Sequence, residues 1–252
     1  MQVTKDVHMV SDAEETVNAA FISTARGTVV VDTMRTPKDG ELLLGHIKTT
    51  TAKPVYMVIN SHYHADHTFG NSSFEFPTIS TETTYELMKK RLENQWSTLT
   101  ENNAPLPLPD ITFENELKLR FEDISMELVE VGGHAPGTTV VHIPEKSVLI
   151  VSDLVFSGRF PFMLDGNLGQ WIDVLNELAG WEADYVIPGH GKPGGSEILT
   201  EQVKFLQDFS AESRKLVNNN DLDDALNELQ KNFEIPSFRM DMVENLLKRL
   251  DN

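Results

Sequence analysis

Apolar residues in the first half of the chain occur in short runs whose spacing predicts β-strands. The segment NAAFISTARGTVVVDT predicts a hairpin that turns at residues 25–27. The segment TPKDGELLLGHIKTT has helical spacing and predicts a helix, and Pro54 ends this segment. The run Val55 to Ile59 is short, β-branched and apolar, which indicates a buried strand.

The stretch STLTENNAPLPLPD, residues 97–110, contains three prolines and predicts a loop. It follows a strand-like piece and a helix within residues 77–96, with Ser80 or Thr81 as the expected helix cap. We expect residues 104–109 of this loop to line a cleft.

Strands and helices alternate more regularly in the second half. ISMELVEVGG and TTVVHIPEKSVLIVSD predict strands, NLGQWIDVLNELAGW predicts an amphipathic helix, and ADYVIPGHGKPGG predicts a strand that enters a glycine-rich loop. From Ser196 onward the pattern is helical, with breaks near residues 218–221 and 234–237. This order predicts an α/β sandwich with helices on its outer faces. We expect one domain over residues 1–215 and a helical C-terminal appendage, or further core helices, over residues 216–252.

Composition narrows the kinds of site that the chain can form. It has 252 residues, 40% of them hydrophobic, and no apolar run approaches the roughly 18 residues needed to cross a bilayer. The N-terminus lacks the basic and then apolar pattern of a signal peptide, so we expect a cytoplasmic location. Without cysteine the chain has no disulfides and no thiolate ligands, so a metal site must use His, Asp and Glu.

The formal net charge of −18 bears on the class of partner. Such a charge repels phosphate backbones and anionic lipids, which argues against nucleic acid and membrane partners and favours a small-molecule substrate. The simplest interpretation of the acidic surface is solubility. The oligomeric state is left open.

Histidines are scarce, yet three of the eight lie within SHYHADH, directly after the predicted strand Val55 to Ile59. His134, Asp153 and His190 follow three other apolar runs. Because side chains on loops at neighbouring strand ends meet at one edge of a rigid sheet, we expect these groups to converge. A lone histidine at a strand end is usually a surface residue, but this combination predicts a metal site.

The spacing divides these side chains between two metal ions. His62 and His64 are two residues apart, so on an extended backbone they project to the same side, and Asp66 follows where the chain turns. The set expected at the first ion is His62, His64 and His134. The set expected at the second ion is Asp66, His67 and His190. Asp153 can bridge both ions, which leaves an open position at each, as in catalytic sites. Zinc suits these ligands best, with manganese and iron as alternatives.

In this order along the chain, the motifs HYHADH, GGHAPG, VSDLVF and PGHG resemble those of the metallo-β-lactamase-fold hydrolases. The resemblance covers nearly the whole chain and implies a four-layer αββα sandwich with two metals along one edge of the sheets. It implies the same two ligand sets with Asp153 as the bridge. It also places Asp32, in VVVDT, behind the metal loop as a supporting residue and not a ligand.

Asp153 also helps to distinguish between the branches of this family. True β-lactamases carry a cysteine or serine at that position, so the chain is more similar to the glyoxalase II thioester hydrolases. Ser152 replaces a glycine common in that motif, and no basic cluster for a glutathione carboxylate is obvious after His190. The lactone-hydrolysing branch often carries a tyrosine where Phe156 stands.

These observations predict a dinuclear hydrolase in which a metal-bridging hydroxide attacks an ester, thioester or lactone. Asp66 is expected to orient the nucleophile and to shuttle a proton. The main alternative is a mononuclear-iron persulfide dioxygenase, followed by a nuclease or a β-lactamase of the same fold. We expect Phe156, Arg159 and Phe160 to contact the substrate, although a surface ion pair for Arg159 and core packing for Phe160 are simpler interpretations. Trp171 is expected in the core.

Overall fold

The computed structural model describes residues 1–12, 16–94, 106–219 and 221–250. Its strands form two mixed sheets. The six-stranded sheet contains β1 (Val7–Ser11), β2 (Asn18–Thr24), β3 (Gly27–Val31), β4 (Val55–Ile59), β5 (Thr78–Thr81) and β6 (Ile111–Phe113), in that order across the sheet. The five-stranded sheet contains β7 (Glu116–Arg120), β8 (Ser125–Glu130), β9 (Thr139–Ile143), β10 (Val148–Phe156) and β11 (Tyr185–His190), in sequence order across the sheet.

The helices lie between and after these strands. They are α1 (Pro37–Thr50), α2 (Ala65–Thr68), α3 (Glu82–Asn94), α4 (Leu168–Leu178), α5 (Glu197–Asn219), α6 (Leu222–Phe233) and α7 (Met240–Leu250). Their starts follow local capping chemistry. Thr36 accepts a hydrogen bond from the Asp39 N–H in front of α1, and Thr81, one of the two expected caps, accepts one from the Thr84 N–H at 3.1 Å in front of α3.

Three apolar layers hold the sheets and helices together. Between the two sheets, Ile22 and Val31 from the first meet Leu128 and others from the second in one cluster of buried side chains. The outer face of the first sheet packs under α1 through Phe21 and Leu43. The outer face of the second sheet packs under α4 and the helices that follow it. The predicted four-layer αββα order is therefore confirmed.

The C-terminal helices share the core of the second sheet. The expected domain boundary after residue 215 falls within α5, so residues 216–219 continue that helix. Leu229 of α6 and Val243 of α7 are both fully buried, in the same cluster as Leu149 of β10. No helix in the described ranges is long and apolar enough to cross a bilayer.

Two details differ from the expectations. Asp153 does not follow a strand but lies inside β10, where the ladder to β11 shifts register around Ser152, whose φ is +47°. In the proline-rich stretch, Leu106 is buried against Tyr63 and Met88, and residues 106–109 do not line the cavity described below. Residues 95–105, which include the expected end of α3 and the rest of the loop, lie outside the described ranges.

Candidate metal centre

The seven predicted ligands come together where the ends of several strands meet. They form two groups whose donor atoms lie within 4.8 Å of one another, and Asp153 belongs to both. The first group is His62, His64, His134 and Asp153. The second group is Asp66, His67, Asp153 and His190. All of these side chains except Asp66 are buried, so each group is an enclosed cluster of imidazoles and carboxylates.

The donor spacing in the first group fits one metal ion. His134 Nε2 lies 3.0 Å from His64 Nδ1 and 3.4 Å from Asp153 Oδ2. The same Asp153 oxygen lies 3.7 Å from His62 Nε2. Ligand atoms placed tetrahedrally at the usual zinc distances would be about 3.3 Å apart, so these separations match a shared ion.

The second group surrounds the other oxygen of Asp153. Asp153 Oδ1 lies 3.0 Å from His67 Nε2 and 3.2 Å from His190 Nε2. Asp66 Oδ2 completes the group at 3.5 Å from His190 Nε2 and 3.8 Å from His67 Nε2. His190 Nε2 is equally close, at 3.2 Å, to Asp153 Oδ2, so it stands between the two oxygens. One carboxylate thus faces both donor groups.

Buried nitrogen atoms in both groups indicate that a cation fits here. His62 Nε2 and His67 Nε2 are buried and form no hydrogen bond within the part of the chain that the structure describes. A buried polar atom without a partner costs free energy, and a divalent cation in each group would satisfy the nitrogen of that group. The donor types also fit, because imidazole and carboxylate are ordinary zinc ligands.

The pKa values of the buried histidines shift in opposite directions in the two groups. Burial, with the nearby charge of His67, holds the pKa of His62 well below its ordinary value, and burial lowers the pKa of His134 to about 3. Both rings are therefore neutral, the form that binds metal. Burial would also lower the pKa of His67, but the carboxylates of Asp153 and Asp66 raise it well above its ordinary value. The carboxylates of the second group therefore stabilise a positive charge at this position.

Asp153 itself is ionised at the centre of the site. Burial would raise its pKa, but the neighbouring charges of His190 and His67 hold the pKa well below its ordinary value. The position that both donor groups share therefore contains a buried carboxylate whose charge requires positive partners.

Asp32 supports the histidine loop from behind. Its carboxylate accepts hydrogen bonds from the Ser61 N–H at 2.8 Å and from His67 Nδ1 at 2.9 Å. Asp32 also lies near His62 and His67 in a third possible donor group, but its oxygens are already used by these hydrogen bonds. Its hydrogen bond orients the His67 ring so that Nε2 faces Asp153, which is the supporting role that the family resemblance implies.

Ser152 occupies a backbone conformation that favours glycine. Its φ of +47° explains why a glycine is common at this position in similar motifs. The serine hydroxyl lies 2.7 Å from Ser61 Oγ and donates to Asp32 Oδ2 at 3.2 Å. The side chain that replaces the glycine therefore joins the support beneath the loop.

Asp165 supports the first group, although no local pattern in the sequence indicates it. Its Oδ2 accepts hydrogen bonds from His64 Nε2 and from Arg91 Nη2, both at 3.0 Å. The hydrogen bond from His64, followed by that from Tyr63 and the charge of Arg91, holds the pKa of Asp165 below its ordinary value. A lone aspartate in MLDGN carries no sequence signal, and only the fold brings it to His64.

A cavity of about 950 Å³ opens onto the second group at Asp66 and His190. The three side chains expected to contact substrate line it: Phe156, Arg159 and Phe160. Phe156 is buried and stacks on the His190 ring at a centroid distance of 4.5 Å. Trp171 is fully buried, as expected for a core residue, and its ring also contacts that of His134 at 5.1 Å.

The C-terminal helical segment supplies the far wall of the cavity, which the sequence patterns did not indicate. Phe233, Phe238 and Arg239 line it. The guanidinium of Arg239 lies 5.2 Å from the ring centre of Phe162, and the Phe162 ring lies 5.3 Å from that of His64. The Phe162 ring therefore lies between Arg239 and the first donor group.

Comparison with known proteins agrees with this arrangement. The family model of the metallo-beta-lactamase superfamily matches residues 13–190. A metallo-beta-lactamase type 2 from Bacillus cereus is 27% identical over 199 residues, 75% of this chain and 73% of that protein. A solved metallo-beta-lactamase from Pontibacter korlensis superposes with a TM-score of 0.68 at 24% identity, covering 82% of this chain and 98% of the other, which supports the same fold.

Two longer proteins are also similar. A linear primary-alkylsulfatase from Pseudomonas is 23% identical over 235 residues, 76% of this chain. The alpha subunit of a 2,4-dinitroanisole O-demethylase from Nocardioides is 25% identical over 170 residues, 65% of this chain. The chain spans less than half the length of both relatives, 44% and 49% respectively.

Proposed function

The chain belongs to the metallo-beta-lactamase superfamily, and from this premise we propose that it is a dinuclear metal-dependent hydrolase of an ester, thioester or lactone. The observation that carries the proposal is that Asp153 turns one oxygen toward each of two donor groups, at 3.4 Å from His134 Nε2 and 3.0 Å from His67 Nε2. Two divalent cations, when bound, supply hydroxide near neutral pH and polarise the substrate's carbonyl oxygen.

We assign the metal ligands from the donor groups. His62, His64 and His134 would hold the first ion, Asp66, His67 and His190 would hold the second, and Asp153 would contribute to both. Zinc is the proposed metal because the donors are imidazoles and carboxylates and the chain has no cysteine.

Asp66 is the proposed proton carrier. Its side chain is 33% exposed, whereas those of His67 and Asp153 are 0% and 2% exposed. It also lines the cavity, so its carboxylate can reach both a substrate and the water that attacks it. A carboxylate in this position orients the nucleophile and carries its proton to the leaving group.

The bridging position supports a glyoxalase II-like branch of the superfamily over a dedicated β-lactamase. An aspartate there would offer an oxygen to each ion, whereas the serine or cysteine expected of a β-lactamase has a single donor atom. Because some relatives are named metallo-beta-lactamases, a β-lactam is the appropriate comparison substrate.

The test is elemental analysis of the purified protein beside rates on a panel of an ester, a thioester, a lactone and a β-lactam. We expect about two zinc ions per chain, loss of activity after chelation, and recovery with zinc or manganese, because the nucleophile depends on bound metal. One iron per chain with persulfide oxidation would replace the proposal with an oxygenase. Full activity of a verified metal-free sample would contradict it.

A further inference from the structure

Arg239 is a half-buried cation without an anionic partner among the residues that the structure describes. It lies in a short turn, Ser237–Arg239, immediately before α7, and lines the cavity above the second donor group. Its Nε is buried without a hydrogen bond, and its guanidinium forms no ion pair with any residue that the structure describes. Its contacts are the rings of Phe162 and Phe238, each with its centre 5.2 Å from the guanidinium carbon.

Two other arginines near the site have carboxylate partners. Arg35 lines the same cavity and lies 3.2 Å from Asp12, and Arg91 lies 3.0 Å from Asp165. Buried charges in proteins are normally paired because removing them from water is costly. Arg239 departs from this rule at the wall of a cavity, so an anion that enters the cavity is its natural partner.

The nearby acidic groups do not fill this role. Burial lowers the pKa of Arg239, while the charges of Asp66 and Asp153 raise it. Both of these aspartates are proposed metal ligands, and two bound cations would offset their charge. The glutamates at the cavity wall, Glu201 and Glu234, form no ion pair with Arg239 among the described residues. With both metals bound, Arg239 and the metal centre would therefore present positive charge to the cavity.

One part of the cavity wall is apolar, although charged and polar side chains line the remainder. Aromatic side chains surround the space between Arg239 and α5, and they are Phe160, Phe205, Phe233 and Phe238. Phe238 is 79% exposed at this wall, an unusual position for a large aromatic residue. A ligand with an apolar body would cover this ring and the phenylalanines beside it.

We propose that the cavity takes an amphiphilic substrate, an apolar chain or ring that carries an oxyanion, and that Arg239 binds this oxyanion. A guanidinium suits both carboxylate and sulfate, because it donates two parallel hydrogen bonds to neighbouring oxygens. This inference rests on the proposed function in one respect: the bond to be hydrolysed must reach the metal centre.

The test is calorimetric binding of sodium octanoate, sodium octyl sulfate and 1-octanol to the metal-loaded protein. The variants are Arg239→Gln, Arg239→Lys and the control Arg249→Gln. The control removes an equal charge from an exposed position of α7, where Arg249 contacts the Leu164 carbonyl. We expect octanoate or octyl sulfate to bind about ten- to a hundredfold more weakly to Arg239→Gln than to the native protein. Arg239→Lys should retain part of this affinity, Arg249→Gln all of it, and octanol should bind the native protein and Arg239→Gln alike. The tighter of the two anions identifies the oxyanion.

Equal affinity of both anions for the native protein and Arg239→Gln would overturn the inference and leave Arg239 as a packing residue against Phe162. A parallel loss of octanol binding would do the same, because the apolar wall would then have collapsed. Hydrolysis is not needed for this measurement. If the anions bind through Arg239 but no ester, thioester or lactone is cleaved, the proposed function fails and the oxyanion site stands.

Discussion

Asp153 is the single residue on which both donor groups depend, so its replacement has a defined expected result. Asp153→Ser removes a carboxylate oxygen from each group and leaves the first with His62, His64 and His134. The second retains Asp66, which is partly exposed, and should hold its ion more loosely. We expect metal content to fall from about two ions per chain toward one, and the hydrolysis rate to fall at least about tenfold.

The measurement is elemental analysis of Asp153→Ser beside its rate on a substrate from the panel. Asp173→Ser is the matched control, because Asp173 is exposed on α4 and away from the donor groups. Two retained ions with unchanged turnover would show that Asp153 is only a structural residue of β10.

The sequence predicted the residues of the two donor groups because their chemistry is rare and concentrated. Three histidines in HYHADH are informative even without a fold, and His134 and His190 follow apolar runs. The supporting residues were harder to find. Asp165 and Arg239 are ordinary residues in the sequence, and only the fold places one against His64 and the other at the cavity. Long-range packing places these two residues at the site, and local sequence patterns do not encode such packing.

At the level of elements, β10 and β11 approach so closely at the site that only glycine fits between them. A Cβ added at Gly189 of β11 would overlap Oδ1 of Asp153 and lie 2.8 Å from the Asp153 nitrogen. We expect Gly189→Ala to lower the free energy of unfolding by about 1–3 kcal/mol and to reduce metal content, because the carboxylate must move.

Gly45→Ala is the matched control for this prediction. Gly45 is exposed in α1, and a Cβ there meets nothing within 4 Å, so alanine should stabilise the protein by about 0.5–1 kcal/mol. Urea unfolding and elemental analysis of both variants make the comparison. Native stability and metal content in Gly189→Ala would mean that the two strands separate at little cost.

The strands that the sequence patterns did not indicate are edge strands. β1 and β6 lie at the two edges of the first sheet, and β7 lies at one edge of the second. An edge strand has one neighbour and often an exposed face, so its apolar signal is weak. β7 shows this clearly, because ELKLR places charged residues at alternate positions and none of its side chains is fully buried. The interior strands β3 and β10 are buried along their whole length and were predicted.

For the molecule as a whole, the proposed metals should contribute to stability as well as to chemistry. Within the described residues, the site contains buried imidazole nitrogens and one oxygen of Asp153 that lack hydrogen bonds. An ion that binds only the folded state stabilises it by mass action. With free zinc about a thousandfold above its dissociation constant, this is about 4 kcal/mol. We expect chelation to lower the melting temperature by about 8 °C or more.

Thermal unfolding of the metal-loaded, chelated and reloaded protein checks this expectation. Reloading with zinc should restore the original melting temperature. An unchanged melting temperature after verified removal of metal would indicate that the hydrogen-bonded support around Asp32 and Asp165 holds the loops in place unaided.

The position of Arg239 has a consequence for how activity in this protein can diversify. Every proposed ligand precedes residue 191, whereas the aromatic and cationic wall of the cavity extends through Phe238 and Arg239, near the end of the chain. The proposed metal ligands and the C-terminal part of the cavity wall are thus encoded in separate stretches of one gene. Mutation or recombination confined to the last stretch can change which molecules are accepted while the hydrolytic apparatus is inherited intact.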